Sequence, residues 1–241
     1  MAEDDGIFCE YAEIFRTVRH GEPASAPPLD VLAAVDLPAG EPLLDVGAGT
    51  GAGTLALAAR FPDREVLAVE PSRIARTVML TRLGERGLTE ERVTVYSHEL
   101  GTADLPQVAG GIAIHVLCQL PAGGIPRFLE RLDWLLLDGG ALLVDGCFGP
   151  TEATQSEPTL DLEHTIGRHT YRRWSSTEPH DDQTVLVRHT FRRFLNDVQD
   201  AEETVESLVA VNPPDQVHAM FAHAGFRAEP AGDRYLVLRR A

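Results

Sequence analysis

The sequence contains no lysine, and all 21 of its basic residues are arginines. This absence excludes covalent catalysis through a lysine Schiff base. We interpret the exclusive use of arginine as the codon bias of a GC-rich genome, which favours a bacterial source. The arginines are outnumbered by 37 acidic residues, which leaves a formal net charge of −16. This charge argues against nucleic acid or an anionic membrane surface as a partner.

Cysteine is also scarce, with only Cys9, Cys118 and Cys147 in the chain. An odd number at such wide spacing predicts neither a disulfide framework nor a zinc site, and it fits a reducing cytoplasm. The nine histidines form no pair four residues apart on a predicted helix, so the sequence predicts no metal. The sequence has no apolar run of about 18 residues, so we expect no membrane span. The acidic N-terminus does not resemble a signal peptide.

The stretch that organises the chain is 43–54, which reads LLDVGAGTGAGT. A short apolar run carries Asp45, glycines follow at positions 47, 49, 51 and 53, and apolar residues then recur at helical spacing. This pattern predicts a buried strand, a tight glycine turn and a helix that packs back on the sheet. Such a turn lets a ligand lie against the backbone, close to the N–H groups of the helix start.

Predicted strands alternate with predicted helices through the first 145 residues. The strands are 42–46, 65–69, 93–96, 112–117 and 141–144, and the helices between them are 54–60, 73–86 and 125–136. The chain closes with a helix at 216–224 and a strand at 234–238. Alternation of this kind predicts an α/β fold with a doubly wound, mostly parallel sheet.

Two further regions complete the expected organisation. The apolar spacing of residues 7–20 and 29–35 predicts an N-terminal helical cap over residues 1–40. Residues 168–174 and 188–194 read RHTYRRW and RHTFRRF and predict an antiparallel hairpin, with a third strand at 204–211. We therefore expect a core of residues 41–148 and 212–241, with residues 149–211 as an antiparallel β insertion that lines the substrate site.

The segment LLDVGAGTG resembles the first motif of the class I S-adenosylmethionine-dependent methyltransferases. Asp45 stands two residues before Gly47, and Glu70 ends the second strand 19 residues after Gly51, where the family binds the ribose hydroxyls. His98-Glu99-Leu100 and Ala224-Gly225-Phe226 occupy further family positions. The insertion and residues 11–15 are similar to small-molecule N-methyltransferases that act on amino sugars and glycine-type amines.

The resemblance implies a seven-stranded Rossmann-like sheet with a reversed C-terminal hairpin and S-adenosylmethionine as the cofactor. It implies the following cofactor-binding residues: Tyr11, Arg19, Asp45, Gly47, Ala48, Gly49, Gly51, Glu70, Pro71, Ser72, Glu99, Leu100, His115 and Val116. A dinucleotide fingerprint is the alternative interpretation of the glycine turn, because Ala52 fits the third glycine position.

The expected function is direct in-line methyl transfer to the nitrogen or oxygen of a small molecule, such as a secondary metabolite. Candidate catalytic bases are His115, His169 and Tyr171; candidate substrate-binding residues are Cys118, Gln119, Asp145, Tyr171 and His189. Two alternatives stay open: a natural-product cyclase that binds S-adenosylmethionine without methyl transfer, and an NAD-dependent reductase. The sequence also leaves a homodimer open.

Overall fold

The structure, a computed structural model, describes residues 28–88 and 92–241. The predicted helix at 7–20, with the candidate cofactor residues Tyr11 and Arg19, lies outside these residues. Within the described part of the chain, the strands form two sheets, one of seven strands and one of four. None of the helices in that part is both long and apolar enough to cross a membrane.

The elements are numbered in chain order within the described residues. The helices are α1 (Leu29–Ala33), α2 (Ala52–Arg60), α3 (Arg73–Glu85), α4 (Gly124–Leu135) and α5 (Pro214–His223). The strands are β1 (Leu43–Val46), β2 (Val66–Val69), β3 (Val93–Tyr96), β4 (Val108–Ala113), β5 (Leu136–Asp145), β6 (Ser156–Ile166), β7 (His169–Pro179), β8 (Thr184–Leu195), β9 (Val198–Ala210), β10 (Phe226–Pro230) and β11 (Tyr235–Arg240).

The seven-stranded sheet has the order β10-β11-β5-β4-β1-β2-β3. Neighbouring strands from β5 to β3 are parallel, whereas β11 runs antiparallel to both β5 and β10. This arrangement confirms the predicted α/β fold with a mostly parallel sheet and a reversed C-terminal hairpin. The chain leaves β1 in one direction towards β2 and returns on its other side at β4, so the switch in strand order lies between β1 and β4.

The central strand β1 is buried on both faces. Leu43 packs into an apolar cluster that includes residues of α1, α2 and α3, and Leu44 packs into a second cluster that includes residues of α4 and α5. Both leucines have no exposed surface. A strand that is covered by helices on both sides has a continuous apolar sequence, and this pattern allowed β1 to be predicted. The two clusters fix the position of the glycine turn that follows β1.

Strand β4 begins and ends four residues earlier than the predicted segment 112–117, so the predicted bounds were wrong. The pair Gly110-Gly111 lies within the strand. A Cβ at Gly110 would approach the Ala141 carbonyl oxygen to 2.3 Å, and one at Gly111 would approach the Leu44 carbonyl oxygen to 1.9 Å. The glycines are therefore required by the close approach of neighbouring strands. As a consequence, His115 follows the strand instead of lying within it.

The four-stranded sheet has the order β6-β7-β8-β9, and all its neighbours are antiparallel. It contains the predicted hairpin, now β7 and β8, and a longer third strand than predicted. Strand β6 was not predicted. Most of its residues are exposed and only Leu162 is buried, packing against Phe191 of β8, so the alternation expected of a half-buried strand is weak.

Candidate functional site

The glycine turn connects β1 to α2 at the carboxyl edge of the parallel sheet. Gly47, Gly49 and Gly51 all have positive φ angles, of 63°, 55° and 85°. A Cβ at Gly47 would lie 2.7 Å from Val116 Cγ2, and one at Gly51 would lie 2.7 Å from Met79 Cγ. A Cβ at Gly49 would meet nothing closer than the Gly47 carbonyl oxygen at 3.9 Å. The protein's own packing therefore requires the outer two glycines, whereas Gly49 faces open space that suits a ligand.

Glu70 is the residue that joins the end of β2 to this turn. Its Oε2 accepts a hydrogen bond from the Gly49 N–H at 2.8 Å, and its Oε1 accepts one from the Ser72 N–H at 2.7 Å. The side chain is 7% exposed. A carboxylate has about four acceptor positions, so two backbone donors leave capacity for the hydroxyls of a ligand. Glu70 thus shapes the turn and presents an anionic acceptor beside Gly49.

Asp45 lies beneath the turn in β1 and is 3% exposed. Its Oδ2 accepts a hydrogen bond from the Thr54 hydroxyl at 2.6 Å. Burial raises the pKa of Asp45 to about 7; the hydrogen bond from Thr54 opposes the shift and the charge of Glu70 adds to it. A ligand cation near this carboxyl group would favour its ionised form. The turn therefore combines an open backbone with two buried acids.

A second group of polar side chains lies where β4 and β5 end. His115 follows β4 with a φ of 59°, in the left-handed region that is uncommon for a residue other than glycine. Its backbone N–H donates to Asp145 Oδ1 at 3.0 Å, and its ring Nδ1 lies 2.6 Å from Asp145 Oδ2. Asp145 is the last residue of β5 and is 3% exposed. The carboxylate thus accepts the backbone N–H of His115 and also contacts its ring.

Two cysteines complete this group. Cys118 lies in the short 3₁₀ helix Leu117–Gln119, and Cys147 follows β5. The ligand atoms of His115, Cys118 and Cys147 all lie within 4.8 Å of one another. Hydrogen bonds with the side chains of Cys118 and His115 lower the pKa of Cys147 to about 4, against the opposing effects of burial and of the Asp145 charge. We call His115, Cys118 and Cys147 the histidine–cysteine cluster.

Comparison with known proteins identifies the fold. No family model matches the sequence. The chain is 32% identical over 116 residues to methyltransferase str3 from Strobilurus tenacellus. This match covers 47% of the chain and only 38% of the relative, so the chain spans well under half of the relative's length.

Two solved structures cover nearly the whole chain. An S-adenosylmethionine-dependent methyltransferase from Clostridium acetobutylicum has a TM-score of 0.68 and 10% identity over 97% of this chain and 99% of its own. The glycopeptide N-methyltransferase MtfA in complex with S-adenosylmethionine has a TM-score of 0.53 and 18% identity over 88% of this chain and 93% of its own. The fold is that of the S-adenosylmethionine-dependent methyltransferases. This finding confirms the fold that the resemblance implied.

Several residues predicted to bind the cofactor have defined roles within the methyltransferase fold. Ser72 caps α3, where its Oγ accepts the Ala75 N–H at 3.3 Å, and Val116 packs beside Gly47. Leu100 is buried in the core, whereas Glu99 and Pro71 are exposed. The structure therefore places these residues around the glycine turn or in nearby loops, and their contact with a cofactor stays a prediction.

The candidate residues of the insertion lie on the second sheet of this methyltransferase fold. The rings of His169 and Tyr171 are 6.3 Å apart on β7, and His189 Nδ1 on β8 lies 2.6 Å from the Ser175 hydroxyl oxygen. Burial lowers the pKa of His189, and the charge of Arg173 lowers it further. These contacts are within one sheet. The structure brings His115, Cys118 and Asp145 together, and it holds His169, Tyr171 and His189 in a separate sheet.

Gln119 and Cys147 follow β4 and β5, respectively. Gln119, a predicted substrate-binding residue, donates from Nε2 to the His115 carbonyl oxygen at 2.6 Å, so it supports the backbone of the turn. Cys147 was not among the predicted site residues. The available signal was its position two residues after Asp145, at the end of a strand in the parallel sheet. The prediction of no metal was based on sequence spacing, which does not reveal contacts between the ends of adjacent strands.

Proposed function

We propose that this protein is an S-adenosylmethionine-dependent methyltransferase that acts on the nitrogen or oxygen of a small molecule. The observation that carries the proposal is the open face of Gly49, in a turn that also has two buried acids, Glu70 and Asp45, at the switch in strand order. Open α/β sheets bind their ligands at this edge. We assign the ribose hydroxyls to Glu70 and the methionine ammonium to the region of Asp45, because each acid supplies the complementary acceptor.

The acceptor is expected beside the cofactor, at the ends of β4 and β5. Methyl transfer from a sulfonium is a single displacement, so the protein must chiefly hold the acceptor in line with the methyl group and keep water out. We propose that His115 contacts the acceptor and takes its proton, with Asp145 fixing the ring through Nδ1. Of the three predicted bases, His115 is the one that lies at this edge of the parallel sheet. His169 and Tyr171 stay predictions for the wall of the substrate site.

A small natural product is the acceptor class that we favour. The net charge of −16 disfavours nucleic acid, and MtfA, which shares the fold, is a glycopeptide N-methyltransferase. A bacterial source, a cytoplasmic location, a homodimer and the division into cap, core and insertion stay predictions from the sequence.

The test of this function is the formation of S-adenosylhomocysteine. Purified protein is incubated with S-adenosylmethionine and a panel of small amines, phenols and alcohols, and S-adenosylhomocysteine and methylated product are measured together. We expect equal amounts of both with at least one acceptor. Conversion of an acceptor without S-adenosylhomocysteine would instead indicate the cyclase alternative. Binding of NADH in place of S-adenosylmethionine would contradict the proposal and indicate a reductase.

Replacement of Glu70 by glutamine tests the ribose assignment. The amide keeps the shape of the side chain but loses the charge and one acceptor oxygen, so we expect binding of S-adenosylhomocysteine to weaken by about 1.5–3 kcal/mol, as for hydrogen bonds to charged groups. Isothermal titration calorimetry measures the change. Glu65→Gln is the matched control, because Glu65 is exposed and precedes the same strand at its other end. Equal affinities of the Glu70→Gln and Glu65→Gln variants would show that Glu70 does not bind the cofactor.

A further inference from the structure

We infer that the histidine–cysteine cluster is a binding site for a thiophilic divalent cation, with Zn²⁺ as the preferred ion. The inference goes beyond the proposed function, because it concerns metal binding and needs neither cofactor nor acceptor. Its three residues come from two loops that follow adjacent parallel strands. His115 and Cys118 lie three residues apart after β4, and Cys147 lies two residues after the end of β5.

The distances in the cluster suit a tetrahedral ion. Zinc binds cysteine sulfur at about 2.3 Å and histidine nitrogen at about 2.0–2.1 Å. Tetrahedral angles then separate neighbouring ligand atoms by about 3.5–3.8 Å. The ligand atoms of His115, Cys118 and Cys147 already lie within 4.8 Å of one another. These separations therefore exceed the tetrahedral values by no more than about 1.3 Å.

The surroundings of His115 also fit a metal ligand. Its Nδ1 lies 2.6 Å from Asp145 Oδ2, so the carboxylate lies against the Nδ1 side of the ring, and Nε2 is the nitrogen that we assign to the ion. A ligating histidine commonly donates its other ring N–H to a carboxylate, which orients the ring and raises its basicity. Asp145 is almost completely buried and also accepts the His115 backbone N–H, so the support is built into the fold.

The donor set selects the class of ion. One imidazole and two thiolates suit zinc and other thiophilic metals, whereas Mg²⁺ and Ca²⁺ prefer oxygen ligands. Two thiolates balance the charge of a divalent ion. Three protein ligands leave the fourth tetrahedral position to water or to another ligand. An ion bound to Nε2 blocks the nitrogen that we propose takes a proton from the methyl acceptor. The metal-loaded and metal-free forms therefore differ in the contact that His115 makes with the acceptor.

The experiment measures metal binding by the full chain after complete reduction of its thiols and removal of metals. Co²⁺ is the spectroscopic probe, and a chromogenic chelator reports Zn²⁺ by competition. We expect one Co²⁺ per chain, with the absorption of thiolate-bound tetrahedral cobalt, and displacement of that cobalt by Zn²⁺. Cys118→Ser and Cys147→Ser should each weaken Zn²⁺ binding at least a hundredfold. A rise in melting temperature with Zn²⁺ in the wild type but not in these variants gives a second readout.

Two further variants separate this site from non-specific binding. Cys9→Ser removes the third cysteine and should leave the affinity unchanged. Asp145→Asn should weaken Zn²⁺ binding about 10–100-fold while keeping the cobalt spectrum, as for the loss of a carboxylate that supports a ligand. Absence of cobalt–thiolate absorption in fully reduced wild type, or equal loss in Cys9→Ser and Cys147→Ser, would overturn the inference. Because no methyl donor is present, either result leaves the proposed function untouched.

Discussion

Gly49→Ala is expected to abolish measurable binding of S-adenosylhomocysteine, with a loss of affinity of at least about 1,000-fold, or about 4 kcal/mol. The structure leaves the space above Gly49 empty of protein atoms, since the nearest atom to an added Cβ is 3.9 Å away. In the proposed complex, the cofactor fills that space against the backbone. A methyl group there displaces the ligand without disturbing the packing of the protein itself.

The Gly49→Ala substitution also lowers the stability of the protein through its backbone conformation, and a second variant serves as a control for this effect. Gly49 has a φ of 55°, and an alanine in the left-handed region costs about 1–2 kcal/mol in stability. Gly40 has a φ of 76° and nothing within 4 Å of an added Cβ, and it precedes β1 at the opposite edge of the sheet. Gly40→Ala should therefore lose similar stability in urea unfolding and keep the affinity of the wild type. Unchanged affinity in Gly49→Ala, or equal losses in both variants, would contradict the close-approach argument.

Asp45→Asn is expected to make the ligand-free protein less sensitive to pH. Burial raises the folded-state pKa of Asp45 to about 7, from 3.8 for an aspartate in water. A carboxyl group whose folded pKa is raised favours the folded state at low pH, and that contribution is lost as the pH rises towards and through the folded pKa. Between pH 5 and pH 8, the wild type should therefore lose about 2–3 kcal/mol of unfolding free energy relative to Asp45→Asn.

Denaturant unfolding at the two pH values measures this difference, and the comparison with the variant removes the contribution of other titrating groups. Asp63→Asn is the control for charge alone, because Asp63 is exposed. This control should follow the pH dependence of the wild type. If Asp45→Asn also follows it, Asp45 is not a buried acid with a raised pKa. With the cofactor bound, a nearby ammonium should reduce the difference between wild type and Asp45→Asn.

The elements around the glycine turn could be predicted from the sequence. In segment 43–54, a buried strand, a glycine turn and a helix follow one another without interruption, so local pattern and tertiary structure agree. The same holds for Ser72, a polar cap before a helix, and for the strand that ends at Glu70. Each of these features depends on residues close together in the chain, where periodicity and turn chemistry are informative.

The segments around β4, β6 and the loop after β5 were harder to predict, because their structure depends on contacts between distant parts of the chain. Gly110 and Gly111 lie within β4, where the close approach of two neighbouring strands explains them. Strand β6 lacks a clear apolar alternation because most of its residues are exposed. Cys147 lies 29 residues after Cys118, and no spacing rule links them. Their proximity follows from the parallel pairing of β4 and β5, which brings two loops to the same edge of the sheet.

A crystal structure of the protein with S-adenosylhomocysteine tests the central claim most directly. The account predicts the nucleoside against the turn at Gly49, with at least one ribose hydroxyl at about 2.5–3.0 Å from a carboxylate oxygen of Glu70. It also predicts that the thioether sulfur faces the loops after β4 and β5, where His115 and Asp145 lie. A ligand bound elsewhere on the sheet, or a ribose without contact to Glu70, would contradict the assignment of this turn as the cofactor site.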